Sequence, residues 1–397
     1  DEDVIWLTGE KNLNFVIQSD RMEDYYKHSQ ELIAMDKAYV CTCDPEEWRK
    51  LAEKKEACPC RLLTAKENEK RWHLMFKKYK EEDAVLRIKT DIMHPNPAVR
   101  DWPAFRIVSK GKHPLVKAKV WPLLNFSSAI DDHELKTTHI LRGVDLEISD
   151  TRQKYIYDYF NWKYPKTIHH GKFFISGIKS SSEAKELIEQ GKYTGWDDPR
   201  LGTIKALRKR GFQPEAIIDF IKANGIGKND FNVNISSLEA FNKGIIDKKA
   251  NRYFAVFNPK KVKIKNAPKK KIKIPLHPDY PKRGFREFET KDGFYVSDIL
   301  TLDKNFRFID LFNFKNLEFI SQELNPGLYA KLIHWLPVSK DLVKVELVMS
   351  DNSIKKGLGE KALKKVKIND VIQFVRVGFA RLDKKLKNKL VFYFAHR

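Results

Sequence analysis

Cys41, Cys43, Cys58 and Cys60 are the only cysteines of the chain, and they fall within twenty residues of one another. The pattern is CTC, fourteen residues, then CPC. Two arms of paired thiols can offer four soft ligands to a tetrahedral ion, which is what structural Zn2+ requires. C-x-C is tighter than the commoner C-x-x-C. Reduced, unliganded thiols are one alternative. Two disulfides are another, unusual in a chain this long without a secretory signal. Four thiolates leave no open position for water or substrate, so a catalytic zinc is not expected.

The elements around the cysteines can be read from periodicity. RMEDYYKHSQELIAMDKA at 21–38 spaces Tyr25, Leu32, Ile33 and Met35 as one face of a helix. A charged, helical stretch is expected around 64–80. AVLRIKT at 84–90 alternates like a strand, and Pro95, Pro97 and Pro103 mark a loop-rich passage. VWPLLNFSSAI at 120–130 and THILRG at 138–143 read as buried or half-buried segments, and TRQKYIYDYF at 151–160 as a helix. From 182 to about 250 the pattern is helical, with Gly191, Gly211 and Gly225 where helix stops would fall. After 251 come short β-branched and aromatic runs between Pro, Gly, Asn and Asp, the signature of small barrels or sandwiches.

Charge narrows the partner. The 397 residues carry 75 Lys and Arg against 53 Asp and Glu, a net +22, with 42% apolar residues. That much apolar content excludes a wholly disordered basic protein. No run approaches the roughly 18 apolar residues of a membrane span. The opening DEDVIWLTGE shows no basic leader before an apolar stretch, so no secretory signal is expected. A folded, strongly basic chain of two or three domains points to a polyanion. Residues 260–273 hold eight lysines and no acid, alternating with Val and Ile, which fits a strand with a basic face or a solvated edge strand.

Four stretches carry a family resemblance. IQSDRMEDYYKHSQELIAMDKAYVCTCDPEEW at 17–48 resembles the middle of a class I glutamyl-tRNA synthetase. WPLLNFSSAIDDHELKTTHILRGVDLEISDTRQ at 121–153 resembles the second half of its nucleotide-binding fold. GKYTGWDDPRLGTIKALRKRGFQPEAI at 191–217 is similar to the segment after the second ATP signature. The tail, with DVIQFVRVGFARLD and KLVFYFAHR, is similar to the archaeal and eukaryotic branch.

The resemblance implies a multidomain chain. Residues 1–38 would be part of the first half of a Rossmann-type α/β nucleotide-binding domain, and 39–119 an inserted acceptor-binding domain with the four-cysteine site. Residues 120–181 would be the second half with a KMSKS-like loop, 182–250 a helical domain against the tRNA stem, and 251–397 all-β anticodon-binding barrels. HIGH, the first ATP signature, is absent, and HHGK at 169–172 lies too far downstream to replace it. The chain, which opens without Met, is therefore expected to begin partway into that fold, and its residues alone are not expected to complete adenylation.

Site residues follow from the same resemblance. Arg142 stands where glutamate-specific members carry an arginine, and a guanidinium offers a planar fork of donors to a γ-carboxylate; an ordinary surface salt bridge is the other reading. Asp131, Asp132 and His133 would help shape the amino-acid and adenylate pocket; they also read as a polar turn that caps a helix. Leu124 replaces a Tyr common in relatives, and Asn125 an Asp. Gly143 and Asp145 would face the nucleotide, while Thr151, Arg152 and Gln153 open the next helix. Ser180, Ser181 and Ser182, flanked by Lys179 and Lys185, match the serine-rich phosphate loop, although Glu183 falls where some relatives place the lysine. The same serines read as a helix N-cap, itself an anion site. RNA contacts would come from Arg100 and Trp102 at the acceptor end, although Trp102 beside Pro103 reads equally as core; from Arg200, Lys205, Arg208 and Arg210 at the inner corner, where the run 208–210 also suits a helix C-terminus; and from Arg252 at the first barrel, where NRYF also reads as a hydrophobic entry strand.

The expected activity is glutamate–tRNA ligase, using ATP with Mg2+ and a structural Zn2+, in the cytoplasm. Its partners would be glutamate and the glutamate tRNA, with the glutamine tRNA left open as a second acceptor. The alternatives are a glutaminyl enzyme, against which Arg142 argues, and a non-catalytic tRNA-binding fragment.

Overall fold

The computed structural model describes residues 2–11, 13–109, 113, 115–175, 180–298, 300–301 and 303–397. Two compact units are present, one of Asn12–Lys172 with Ile226–Asp230, the other of Asp1–Lys11, Phe173–Gly225 and Phe231–Arg397.

In the first of these units, strands Ala38–Cys41, Val85–Ile88, Pro103–Ile107 and Val120–Pro122 form an antiparallel sheet in chain order. Helices Met22–Ala34 and Ala65–Lys77 bury Tyr25, Leu32, Trp72 and Met75 in the same core as Val40, Leu86 and Phe105. The sequence reading began the second half of the nucleotide-binding fold at 120. Val120–Pro122 pairs with Pro103–Ile107 as the fourth strand of this sheet, with Ile107 opposite Val120. The chain then runs through helix Leu124–Glu134, strand His139–Gly143, helix Ile148–Tyr159 and strand Lys166–His170. The last two strands pair in parallel, a strand–helix–strand crossover of the α/β type. Asp131, Asp132 and His133 lie in the last turns of Leu124–Glu134 rather than in a turn.

The other unit contains helices Ser181–Glu189, Ile204–Arg210, Pro214–Asn224 and Ile235–Ile246, followed by strands. Gly211 ends its helix at φ +102°, a left-handed conformation that favours glycine. Alternation along 252–257 builds the β region. Tyr253, Ala255 and Phe257 enter one core, with Val345, Leu347, Phe374 and Phe392. Phe254 and Val256 enter a second, with Phe294, Phe308, Phe312 and Trp335. Because successive side chains point to opposite faces, this one segment is shared by both cores. The lysine-rich stretch forms two strands, Lys260–Lys263 and Lys271–Pro275.

Three side chains expected at an RNA surface lie inside. Arg100 is 5% exposed and donates to the backbone carbonyls of His94 (2.6 Å), Ala52 (2.6 Å) and Pro95 (3.0 Å). Trp102 is 1% exposed in the sheet core, so it offers no stacking platform. Arg210 is 5% exposed and bonds the Ala395 carbonyl at 2.6 Å. Carbonyls that have left water need donors, and a guanidinium supplies several at once. Arg100→Ala is expected to lower stability by about 3 kcal/mol in denaturant unfolding followed by tryptophan fluorescence. The affinity of the folded variant for tRNA should stay unchanged, because the side chain does not reach solvent.

Candidate active site

Arg142 and Gly143 close the C-terminal end of strand His139–Gly143, beside a cleft of about 430 Å3. Helix Leu124–Glu134 contributes Leu124, Asn125, Ser128 and Asp132 to its wall, and helix Ile148–Tyr159 contributes Ser149 and Gln153. Val16 and Gln18 line another side. Ligands of open α/β sheets bind at this place, outside the carboxyl ends of the parallel strands. A Cβ on Gly143 would come within 2.5 Å of Asp145 Oδ1, the end of an exposed side chain that can turn aside.

Arg142 is well fixed. Its side chain is 9% exposed; Nη1 donates to Asp150 Oδ1, and Nη2 donates to Gln153 Oε1 at 2.9 Å. His169 lies opposite Arg142 in the parallel register and brings Nε2 within 3.0 Å of Asp150 Oδ2. The Tyr164 hydroxyl donates to Gln153 Oε1 at 3.0 Å. Asp150, Tyr164 and His169 were not found from sequence. Only the pairing of two short strands around one helix makes them neighbours of Arg142, and strand spacing was the available signal.

The other expected pocket residues divide. Asp132 lines the cleft, with its carboxyl pKa raised by burial. Asp131 also borders the cleft, but its carboxylate accepts from Arg21 Nε (2.7 Å), Tyr25 Oη (2.8 Å) and Gln18 Nε2 (3.1 Å). It therefore ties helix Met22–Ala34 to Leu124–Glu134. His133 is not brought to the cleft wall; it stacks flat on Trp162 at 3.6 Å, and burial lowers its pKa. Leu124 is 55% exposed at the rim. Asp145 is exposed and pairs with Lys172 at 3.3 Å.

In the other unit, Ser180 is the N-cap of helix Ser181–Glu189, its hydroxyl accepting from the Glu183 amide at 3.1 Å. Ser181 and Ser182 are exposed in the first turn. Lys179 lies outside the described residues. Arg200 grips Asp198 through Nε and Nη2, each at 2.8 Å, and stacks on Tyr193. Lys205 is exposed, and Arg208, also exposed, lies 5.7 Å above the Trp6 ring. Arg252 pairs with Asp247 at 3.6 Å.

The four cysteine sulfurs lie within 4.8 Å of one another. Cys41 and Cys58 are 3.9 Å apart, Cys43 and Cys60 3.7 Å. Zn–S bonds of about 2.3 Å in a tetrahedron put sulfurs about 3.8 Å apart, so the cluster fits that ion. The thiols perturb one another: hydrogen bonds from Cys41 and Cys58 hold Cys60 far below the ordinary thiol range, while burial pushes Cys43 up to about 11. Arg71 Nη1 (3.4 Å) and the Thr42 amide (3.5 Å) donate to Cys60 Sγ, which suits a thiolate-rich site of net negative charge.

A family model described as tRNA synthetases class I (E and Q), catalytic domain, matches residues 1–248. The chain belongs to that family. Two models for the family's anti-codon binding domain match residues 250–332 and 332–383, the strand-rich region. The chain is 48% identical over 416 residues to the glutamate–tRNA ligase of Pyrococcus furiosus, the alignment taking in all of this chain and 72% of that protein. It is 45% identical over 413 residues to the glutamate–tRNA ligase of Methanocaldococcus jannaschii, covering all of this chain and 73% of that one.

Elemental analysis of purified protein is expected to find about one zinc per chain, since four thiolates complete one tetrahedron. Cys58→Ser should lower that content and the melting temperature together. A stable wild-type protein free of metal would contradict the assignment.

Proposed function

We propose that the protein is a glutamate–tRNA ligase, which activates glutamate with ATP and passes it to the 3′-terminal adenosine of tRNA. The observation that carries this reading is Arg142 at the cleft wall, in a chain that aligns along its whole length with such ligases. Its guanidinium would receive the γ-carboxylate through charge-assisted hydrogen bonds. A neutral γ-amide would not match the cationic fork, which disfavours the glutaminyl alternative. The α-carboxylate of glutamate attacks the α-phosphorus of ATP and pyrophosphate leaves; the tRNA 2′-hydroxyl then attacks the acyl carbon of the adenylate, the acyl–phosphate bond breaks, and AMP leaves with loss of the hydroxyl proton. No covalent enzyme intermediate is needed, so the chain acts by positioning and by stabilising phosphate charge.

Gly143, Asp145 and Asp132 are assigned to the adenylate side of the cleft. Mg2+ would accompany ATP and neutralise phosphate charge. Ser180, Ser181 and Ser182, at a helix N-terminus, are assigned to phosphate contact with Lys179. The zinc site would brace the inserted sheet, because Cys41 ends one of its strands. We assign 39–119 to the tRNA acceptor end, 182–250 to its inner corner through Lys205, Arg208 and Arg200, and 251–397 to the anticodon, with Arg252 at the first strand. A cytoplasmic site of action follows from tRNA charging; among the described residues no helix is long and apolar enough to cross a membrane.

Glutamate-dependent ATP–pyrophosphate exchange and charging of the glutamate tRNA test this reading. Absence of both in the intact protein would leave the non-catalytic tRNA-binding alternative. Charging of the glutamine tRNA in the same assay decides the second acceptor. Arg142→Ala should raise the glutamate KM by about tenfold or more, the loss expected for hydrogen bonds to a charged group, with the ATP KM little changed. An unchanged glutamate KM would refute the role of Arg142.

A further inference from the structure

We propose that Asp150 and Gln153 are positioning residues that fix the Arg142 guanidinium for glutamate, an inference that rests on the proposed role of Arg142. Both sit on helix Ile148–Tyr159, three residues apart and so on one face. Asp150 Oδ1 takes Nη1 and Gln153 Oε1 takes Nη2 at 2.9 Å, so one helix turn grips both arms of the fork and sets its plane. The Gln153 grip is itself backed by the Tyr164 hydroxyl, which donates to Oε1 at 3.0 Å, and His169 Nε2 lies 3.0 Å from Asp150 Oδ2 without hydrogen-bond geometry. Gln153 is 1% exposed, and the Asp150 side chain is 14% exposed. Of the five N–H groups of a guanidinium, the helix takes two, and Arg142 lines the cleft where a carboxylate would be met.

Charge and geometry make opposite demands at this point. The Arg142–Asp150 pair is formally neutral, so it draws glutamate by aimed donors more than by net field. Deleting the Asp150 carboxylate would release a positive charge, which favours a carboxylate, and would free a long, rotamer-rich side chain, which disfavours one. Positioning requires the second effect to win.

Three variants of the intact protein decide this by glutamate-dependent pyrophosphate exchange, with the ATP KM and melting temperature measured alongside. Asp150→Ala is expected to raise the glutamate KM about tenfold, as for a lost hydrogen bond to a charged group, at an ATP KM near wild type. Asp150→Asn keeps an acceptor for Nη1 while losing the charge, and should stay within about threefold of wild type. Gln153→Met preserves volume but removes the other acceptor, and should raise the glutamate KM in the same direction; it carries the test if Asp150→Ala does not fold. A glutamate KM that falls in both Asp150 variants would make Asp150 a mere countercharge and overturn the proposal. An unchanged KM with a lowered melting temperature would make it a fold element and overturn it too. Arg142→Ala separates the two levels. If that variant leaves the glutamate KM unchanged, the reading of Arg142 fails. If it raises the KM while the helix variants do not, only the present inference fails.

Discussion

The half-buried ion pair between Arg142 and Asp150 is the constraint around which the candidate active site is built. A guanidinium taken out of water must be matched by acceptors, or its desolvation exceeds what it gains. The fold meets that condition by pairing His139–Gly143 in parallel with Lys166–His170 and running Ile148–Tyr159 between them. Arg142 then faces two acceptors on the crossover helix, and the Tyr164 hydroxyl donates to the second of them. The cleft wall that Arg142, Gly143, Ser149 and Gln153 line depends on that arrangement.

Arginine plays a second part throughout the chain. Arg87, Arg100, Arg210 and Arg286 are buried, whereas lysine is absent from the buried charged side chains of the described residues. Arg100 and Arg210 hold backbone carbonyls, and Arg286 pairs with Glu360 at 2.8 Å, which also accepts from the Phe254 amide. A weakly hydrated, multi-donor cation can stitch loops together from inside, while a compact ammonium stays in water. The surplus of positive charge is therefore not a map of RNA contacts. Its outward share is carried more by lysines, including Lys205 and most of those in 260–273, than by the basic residues nearest a recognisable motif.

Much of the architecture was legible before any coordinates. The periodicity of 21–38 became helix Met22–Ala34, 84–90 became strand Val85–Ile88, and the aromatic runs after 251 became strands. Asp131 to His133 misled because a polar run hides helical period; tertiary contacts with Arg21, Tyr25 and Trp162 make use of those side chains within the helix. The cysteines were legible because ligand chemistry demands few residue types at short spacing, and the fold gathered all four.

By itself, the sequence determined the residue types available for chemistry: four thiols at metal-ligand spacing, an arginine in a half-buried segment, and a chain rich in positive charge. It determined most local elements as well, since hydrophobic period is a local property. Only the tertiary structure decided which cations face solvent and which are enclosed, because burial depends on neighbours distant in the chain. Arg100 read as surface from its motif and Trp102 as either surface or core, and packing put both inside. Arg142 read as a substrate contact or a salt-bridge residue, and parallel pairing gave it Asp150 and Gln153 as its frame, since a register between strands is written in no single segment.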